Sequence, residues 1–395
     1  MIRYFDKFGD ELNYTDFIEL QWNRKLYEAG SFVLYMAAEH YNPRIKYIQN
    51  EDRPETGIVQ KVEFEETSRG KFITLSGFFI EKLLDMGAFT TTQIMDATGA
   101  KSSAAAEEGI KILLYNCFKQ ATENLKNSID KLSWGVLAPD QFAQTCFYET
   151  TLKAGAKYPA DCIITFEPGE PFGATLYDFY KSNNIGYTAK PKFNPSKKDT
   201  EPLLGIEIET INGRNLTKDI FFGSEYDNVS NVQTAFDDSG VKSFFVAMQI
   251  VPEGIKYSNM KPVYIDGKWQ NVIYETFNEP KNRPTDLGEC SALRCISTSV
   301  SEVNEDNEQT VRSQMIEQLR LDMLNHYRVE TVAVDVIQNR FYYLRDYDLG
   351  DNCSVVLETG ELYSAQIIEI NEVHRSNKVE VQIVLGTARK RKVVK

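Results

Sequence analysis

The sequence predicts an α+β chain that is mainly β. Three observations predict it. Apolar and polar residues alternate with period two in many short runs, such as Lys61–Glu65 and Ile206–Ile211, as half-buried strands require. Helical spacing is confined to a few segments, the clearest between residues 100 and 130. The two ends of the chain also carry similar hairpins. One joins Val59–Phe64 to Phe72–Leu75 and closes at Gly77; the other joins Ile367–Ile370 to Val379–Leu385 and closes at Gly386. That similarity suggests two related small barrels.

Residues 1–95 read as a first β-barrel domain. Phe17, Glu19 and Gln21 alternate with Ile18, Leu20 and Trp22, and a turn through Arg24–Ser31 feeds a second strand at Phe32–Tyr35. Ser68-Arg69-Gly70-Lys71 supplies the hairpin turn. From Gly77 to Asp85 the spacing turns helical, with Phe79, Ile80, Leu83 and Leu84 on one face. Residues 96–190 read as a helical or mixed domain. Its first helix has Ser102 or Ser103 as N-cap, Glu107 and Glu108 near the positive end of the dipole, and a stripe of Ile110, Leu113, Leu114, Cys117, Phe118 and Leu125. A second helix is expected from Thr175 through Leu176, Phe179 and Tyr180 to about Asn183–Gly186.

Residues 191–310 read as a β-rich central domain. Lys190–Glu201, with two prolines, is expected to be an exposed loop. Strands are expected at Ile206–Ile211 and Val246–Val251, turns at Asp237–Gly240, and loops at Glu279–Gly288 and Glu302–Gln309. Residues 311–395 read as a helix to about Arg328, then second-barrel strands and a basic C-terminal tail.

The chain has 395 residues, more than one hydrophobic core usually serves, so two to four domains are expected. Apolar residues at 42% and aromatics at 12% are too many for general disorder. Lys+Arg number 44 and Asp+Glu 57, so the net charge is −13, which disfavours a basic nucleic-acid footprint. No run reaches the ~18 apolar residues of a membrane span, and Met1–Asp10 lacks the apolar stretch of a signal peptide. Synthesis in the cytoplasm with no membrane anchor is expected. Six cysteines, at 117, 146, 162, 290, 295 and 353, include no C-x-x-C pair and read as buried thiols of a reducing compartment.

Catalytic signatures are absent: no G-x-G-x-x-G after a strand, no H-E-x-x-H and no G-x-S-x-G. Gly99-Ala100-Lys101-Ser102 lacks the first glycine of a phosphate loop and reads as a turn into a helix. His40, His326 and His374 fall in separate segments and read as structural or surface residues. Asp346-Tyr347-Asp348-Leu349-Gly350-Asp351 is the densest carboxylate cluster but misses the spacing of a calcium loop. It reads as a turn in which Asp348 bonds nearby backbone and Gly350 takes a positive φ. The 21 Tyr and 23 Phe suit strands and cores, though with a carboxylate pair they also suit a carbohydrate-binding or polysaccharide-degrading protein. Ala388–Lys395 holds five positive charges and reads as a solvated tail.

As a whole the pattern resembles the siphovirus-type phage tail hub family, also known as tail-associated, baseplate hub or prophage tail proteins. The likeness is carried by Trp22–Phe32, with its Trp, Arg and Gly-x-Phe; by Gly57–Glu63 and Gly77–Leu84; by Asn215–Phe222 and Asn228–Asn231; and by Tyr347–Asp351, which resembles a D-Y-D-L-G-D-x-V-x-V signature with Cys353 in place of the first Val. Residues 90–165 match poorly, and the central block lacks a clear Arg after its Asn. The resemblance implies two tail-tube-type β-barrels with inserted or appended α/β domains. It implies a homotrimeric ring at the virion tail tip, assembled in the host cytoplasm. Its partners would be a distal tail protein, the tape-measure protein and tip or receptor-binding proteins, with DNA only passing through. It implies a mechanical role with no catalytic, cofactor-binding or metal residues, and an acidic lumen would suit the net charge by repelling DNA. The chain stops soon after Gly386, so any enzyme domain found in relatives would here be a separate protein.

Overall fold

Strand alternation near the N-terminus builds the first half. In a computed structural model of the chain, the described residues are 2–120, 147–237, 244–250, 261–275, 293–297 and 329–391, less 14–15, 90–91, 98–99, 101, 103, 148, 154–157, 160–161, 199–202, 266–267, 358–359, 361 and 376–377. The strands are β1 (Ile2–Phe5), β2 (Glu11–Leu12), β3 (Glu19–Lys25), β4 (Ser31–Ala37), β5 (Tyr47–Asn50), β6 (Thr56–Thr67) and β7 (Gly70–Phe79). Leu20 and Trp22 face inward from β3, Phe32, Leu34 and Met36 from β4, and Ile73 and Leu75 from β7. Ile2, Tyr4 and Ile48 close over the same core from β1 and β5, so the strands curl around it.

A helix-bearing module follows. It contains β8 (Gln93–Asp96), α1 (Ala104–Tyr115), β9 (Thr150–Leu152), β10 (Ile163–Phe166), α2 (Phe172–Ser182), β11 (Gly186–Phe193) and β12 (Leu204–Ile211). Ile110, Leu113, Leu114, Cys117 and Phe118 of the expected stripe are buried, and they share a core with Phe172, Leu176 and Phe179 of α2. Tyr47, Ile58, Ile80 and Leu84 enter that core from the first half, which docks the module.

The second half begins at β13 (Phe221–Phe222) and β14 (Val229–Asp237). β15 (Phe244–Ile250), β16 (Lys261–Ile265), β17 (Lys268–Glu275) and β18 (Leu293–Ser297) form a separate four-stranded sheet. β19 (Val329–Val336), β20 (Asn352–Val356), β21 (Leu362–Arg375) and β22 (Lys378–Arg391) complete the chain. Phe222, Val334, Val355, Ile367 and Ile383 belong to the core of this half.

One contact organises the molecule. β21 is 14 residues long and pairs with β22 on one side and β3 on the other, from Glu369↔Lys25 to Arg375↔Glu19. The two terminal hairpins therefore lie in one 13-stranded sheet, whose main path is β14-β19-β22-β21-β3-β4-β7-β6-β5-β1-β2. The chain is mainly β, as expected. Among the described residues the path stays open, and neither half closes into a barrel of its own. The long β21 reaches past its own hairpin to the edge of β3, so the halves fuse.

Several elements differ from expectation. The helical spacing after Gly77 is a short 3-10 segment, Ile80–Met86, because β7 runs on to Phe79. α2 starts at Phe172, directly after Pro171, and ends at the expected Asn183. Lys190–Phe193 is strand rather than loop: β11 is an edge strand, where Pro191 removes no needed ladder donor. Arg389–Arg391, expected in a solvated tail, pair with Leu362–Ser364 through β22. The expected helix at 311–328, the loops at 279–288 and 302–309, the turn residues Asp238–Gly240 and the helix beyond residue 120 lie outside the described residues.

Candidate functional site

Where β3 meets β21, the inward phase of both strands ends on charge. Leu20 and Trp22 are followed inward by Arg24, which is 1% exposed, and Ile370 by Glu372, also 1% exposed. A buried charge needs paired and hydrogen-bonded partners. Arg24 donates from Nε to Glu55 Oε1 at 2.8 Å and from Nη1 to Tyr343 OH at 2.5 Å and Asp348 Oδ1 at 2.6 Å. Glu372 Oε1 accepts from Arg53 Nε at 3.1 Å and Tyr343 OH at 3.0 Å, and its Oε2 meets Arg53 Nη2 and, at 2.8 Å, His374 Nε2. The Arg53 guanidinium also lies over the Tyr343 ring, 5.3 Å from its centre. This clasp ties β3, the β5–β6 loop, the 343–348 loop and β21.

The electrostatics follow from burial. Burial works against the Arg24 charge, but Glu55, Tyr343 and Asp348 outweigh it and raise its pKa well above the ordinary value. Burial alone would raise Glu372, yet hydrogen bonds from His374 and Arg53 hold it down at about 2. Burial keeps Glu55 above the ordinary carboxylate range despite Arg24. Arg53, Tyr343 and His374 fill both oxygens of Glu372, whereas Glu55 uses Oε1 alone and its buried Oε2 meets no partner among the described residues.

The Tyr347–Asp351 segment is a second tie. Tyr347 and Leu349 enter the second core. Asp348 Oδ1 accepts from Leu349 N at 2.7 Å, and Gly350 has φ +91°, as the sequence led us to expect. Asp351, 3% exposed, accepts from Arg214 N at 2.7 Å, Arg214 Nη2 at 2.6 Å and Asp348 N at 3.0 Å. The signature thus closes the turn on the segment entering β13.

Two strand edges stand open among the described residues. β5 pairs with β6 only at Thr56–Ile58, which leaves Gln60–Thr67 unpaired on that side. β14 ends the other side of the path and pairs only with β19. The β6 stretch is exposed throughout, with Phe64 72% exposed. Val62 pairs with Leu75 and Phe64 with Ile73, so both lie on the core face of the sheet, beyond the reach of the core itself.

The residues singled out in the sequence are scattered. His374 is in the clasp, His40 is on a 3-10 turn 3.7 Å from Glu39, and His326 lies outside the described residues. Cys117, Cys162 and Cys353 are buried, and burial pushes the Cys353 thiol up to about 12. Cys146 and Cys290 lie outside the described residues. Among the described residues no three His, Cys, Asp or Glu side chains converge as a metal site, and no helix is long and apolar enough to cross a membrane. Sequence reasoning missed Arg53, Glu55, Glu372 and Arg214. For Glu372 a signal existed, since it stands in the inward phase of an apolar strand; the partners supplied by loops carry none.

The family model of siphovirus ReqiPepy6 Gp37-like protein matches residues 11–387. No curated protein matches the chain. Among solved structures, the chain is similar to the prophage MuSo2 43 kDa tail protein from Shewanella oneidensis, at 13% identity, 97% coverage of each chain and a TM-score of 0.49. It is also similar to the tail protein from Neisseria meningitidis MC58, at 14% identity, covering 98% of this chain and 95% of that one, with a TM-score of 0.48. The prophage tail protein gp18 from Listeria monocytogenes EGD-e gives 12% identity, 100% and 96% coverage and a TM-score of 0.46.

Proposed function

Because the chain belongs to the siphovirus ReqiPepy6 Gp37-like family and is thus a phage tail-type structural protein, we propose that it is the tail-tip hub, a homotrimeric ring without catalytic activity. The observation that carries the ring is the pair of open edges. Gln60–Thr67 and β14 bracket eight consecutive strands of one sheet, β6-β7-β4-β3-β21-β22-β19-β14. A strand edge is a template for another strand. Joining two different edges of identical copies is a heterologous contact, and such contacts close into rings when the rotation allows. In that ring the two fused halves of each copy act as the two tube-type units of the hub.

The division into 1–95, 96–190, 191–310 and 311–395 belongs to the same proposal. Within 191–310, Leu204–Ile211 pairs into the helix-bearing module, while the pairing of β14 with β19 draws Val229–Asp237 into the second tube unit. The ring closes the tail tube at the virion tip. It meets a distal tail protein on the tube side, the tape-measure protein within and tip or receptor-binding proteins beyond. A net charge of −13 suits a lumen that DNA passes without sticking.

The test is negative-stain electron microscopy of the purified chain, alone and with its distal tail protein. Threefold rings with a central hole are the expected result. Monomers under both conditions would overturn the reading.

A further inference from the structure

Glu81 is the second residue of the 3-10 segment Ile80–Met86 and is 4% exposed. Its Oε1 accepts twice from β11, from Thr188 Oγ1 at 2.7 Å and Ala189 N at 2.7 Å. Its Oε2 is buried and meets no partner among the described residues. Next to it, Tyr187 N donates to Leu26 O at 3.0 Å, and a Cβ on Gly186 would stand 2.1 Å from the Leu26 side chain. Gly186–Ala189 is buried throughout, so these four residues form part of the seam between the helix-bearing module and the first half.

Burial and the Glu55 carboxylate oppose a charge on this carboxyl, although Thr188 and Ala189 favour one. Glu55 acts on it from the segment before β6. Tyr187 adjoins it from β11, and Asp85 lies on its own 3-10 segment; both carboxyls, with Glu28 and Tyr177, act on the Tyr187 phenol. Arg24, which pairs with Glu55, is also engaged by Asp348, and Lys82 pairs with Asp85. An ionised Glu81 would be a buried anion with one bare oxygen beside a second carboxyl. The neutral form leaves one O–H without a partner, which costs far less.

We infer that Glu81 is a proton-controlled tie: protonated, it holds β11 and the module against the first half, and ionised, it loosens that seam. This goes beyond the ring and does not depend on it. Burial, reinforced by Glu55, pushes the carboxyl up to about 7 against an ordinary 4.5, although Thr188 and Ala189 pull it down. A carboxyl raised in the folded state binds more protons there than in the opened state. The tie is therefore at full strength below about 4.5, weakens as pH rises towards 7 and stays at its weakest above.

Hydrogen exchange of the Gly186–Phe193 amides in the full chain, corrected for intrinsic exchange, tests this. Between pH 5 and pH 8 the opening equilibrium should rise about 70-fold, as a shift from 4.5 to about 7 implies. Glu81→Gln keeps an acceptor for both donors and should flatten the rise. Thr188→Val removes a bond that favours the anion and should move the midpoint to higher pH. A pH-independent seam in the natural protein overturns the inference, whatever the variants do. So does an unchanged rise in Glu81→Gln, or an unmoved midpoint in Thr188→Val.

Discussion

Glu372 is a buried charge with a full set of partners. Its two oxygens hold Arg53, Tyr343 and His374 at a strand junction, and its carboxyl is held at about 2 instead of 4.5. A depressed carboxyl contributes stability that is present above its unfolded pKa and lost as pH falls through the folded one. The window is therefore about 4.5 down to about 2, and the contribution at neutral pH is on the order of 3 kcal/mol. Glu372→Gln should lower stability at pH 7 by about 3–5 kcal/mol, because, among the described residues, buried Arg53 is left with only the exposed Asp52 at 3.8 Å. The loss should shrink towards pH 2. Urea titrations at pH 7, 4 and 2.5 measure it, and an equal loss at all three pH values would reject the clasp as an electrostatic tie. Half of this was legible in the sequence. Arg24 follows Leu20 and Trp22 at the inward period, and Glu372 follows Ile370, so each demanded a partner. Arg53 and Glu55 sit in a turn-rich stretch with no period, and only the fold brings them there.

Strands were the most legible elements, because period two is short and survives in a few residues. The hairpin turn at Ser68–Gly70 and the pairing of Ile367–Ile370 with the strand through Val379–Leu385 came straight from alternation and turn chemistry. The exposure of Gln60–Thr67 did not, since alternation does not say where a sheet outruns its core. The 3-10 segment at Ile80–Met86 was less legible, since Ile80 and Leu84 bury one face whether the turn holds three or 3.6 residues. Gly77 shows what the hairpin itself demands. A Cβ there would stand 1.8 Å from Ile58 O, next to the register shift between Val59 and Lys61. The obstacle is backbone, so no rotamer relieves it. Gly77→Ala should cost about 1–3 kcal/mol, the range of overpacked sites, as a lower urea midpoint with unchanged slope. A midpoint equal to that of the natural protein would mean that the two strands can part at the bulge.

At the scale of the whole molecule, pairing between strands far apart in sequence decided what local patterns could not. Similar hairpins at the two ends suggested two barrels, whereas β21 fuses them into one sheet with unlike edges. The charges on those edges favour a ring over a twofold dimer. Two β6 edges paired antiparallel about Phe64 would set Glu63 against Glu65 of the other copy, twice, and like charges directly opposed destabilise a sheet. The β14 edge offers Ser230-Asn231-Val232-Gln233-Thr234-Ala235, which bears no charge. Its Val232 pairs with the buried Val334, just as Val62 pairs with Leu75, so joining the two edges continues one apolar face from copy to copy. The chain carrying both Glu63→Cys and Gln233→Cys should therefore give linked dimers and trimers with a short bismaleimide, while each single variant gives only background. Linkage by Glu63→Cys alone would make the contact twofold and exclude this ring closure. Rings seen by microscopy without linkage in the double variant would leave the ring standing and move its contacts to other surfaces.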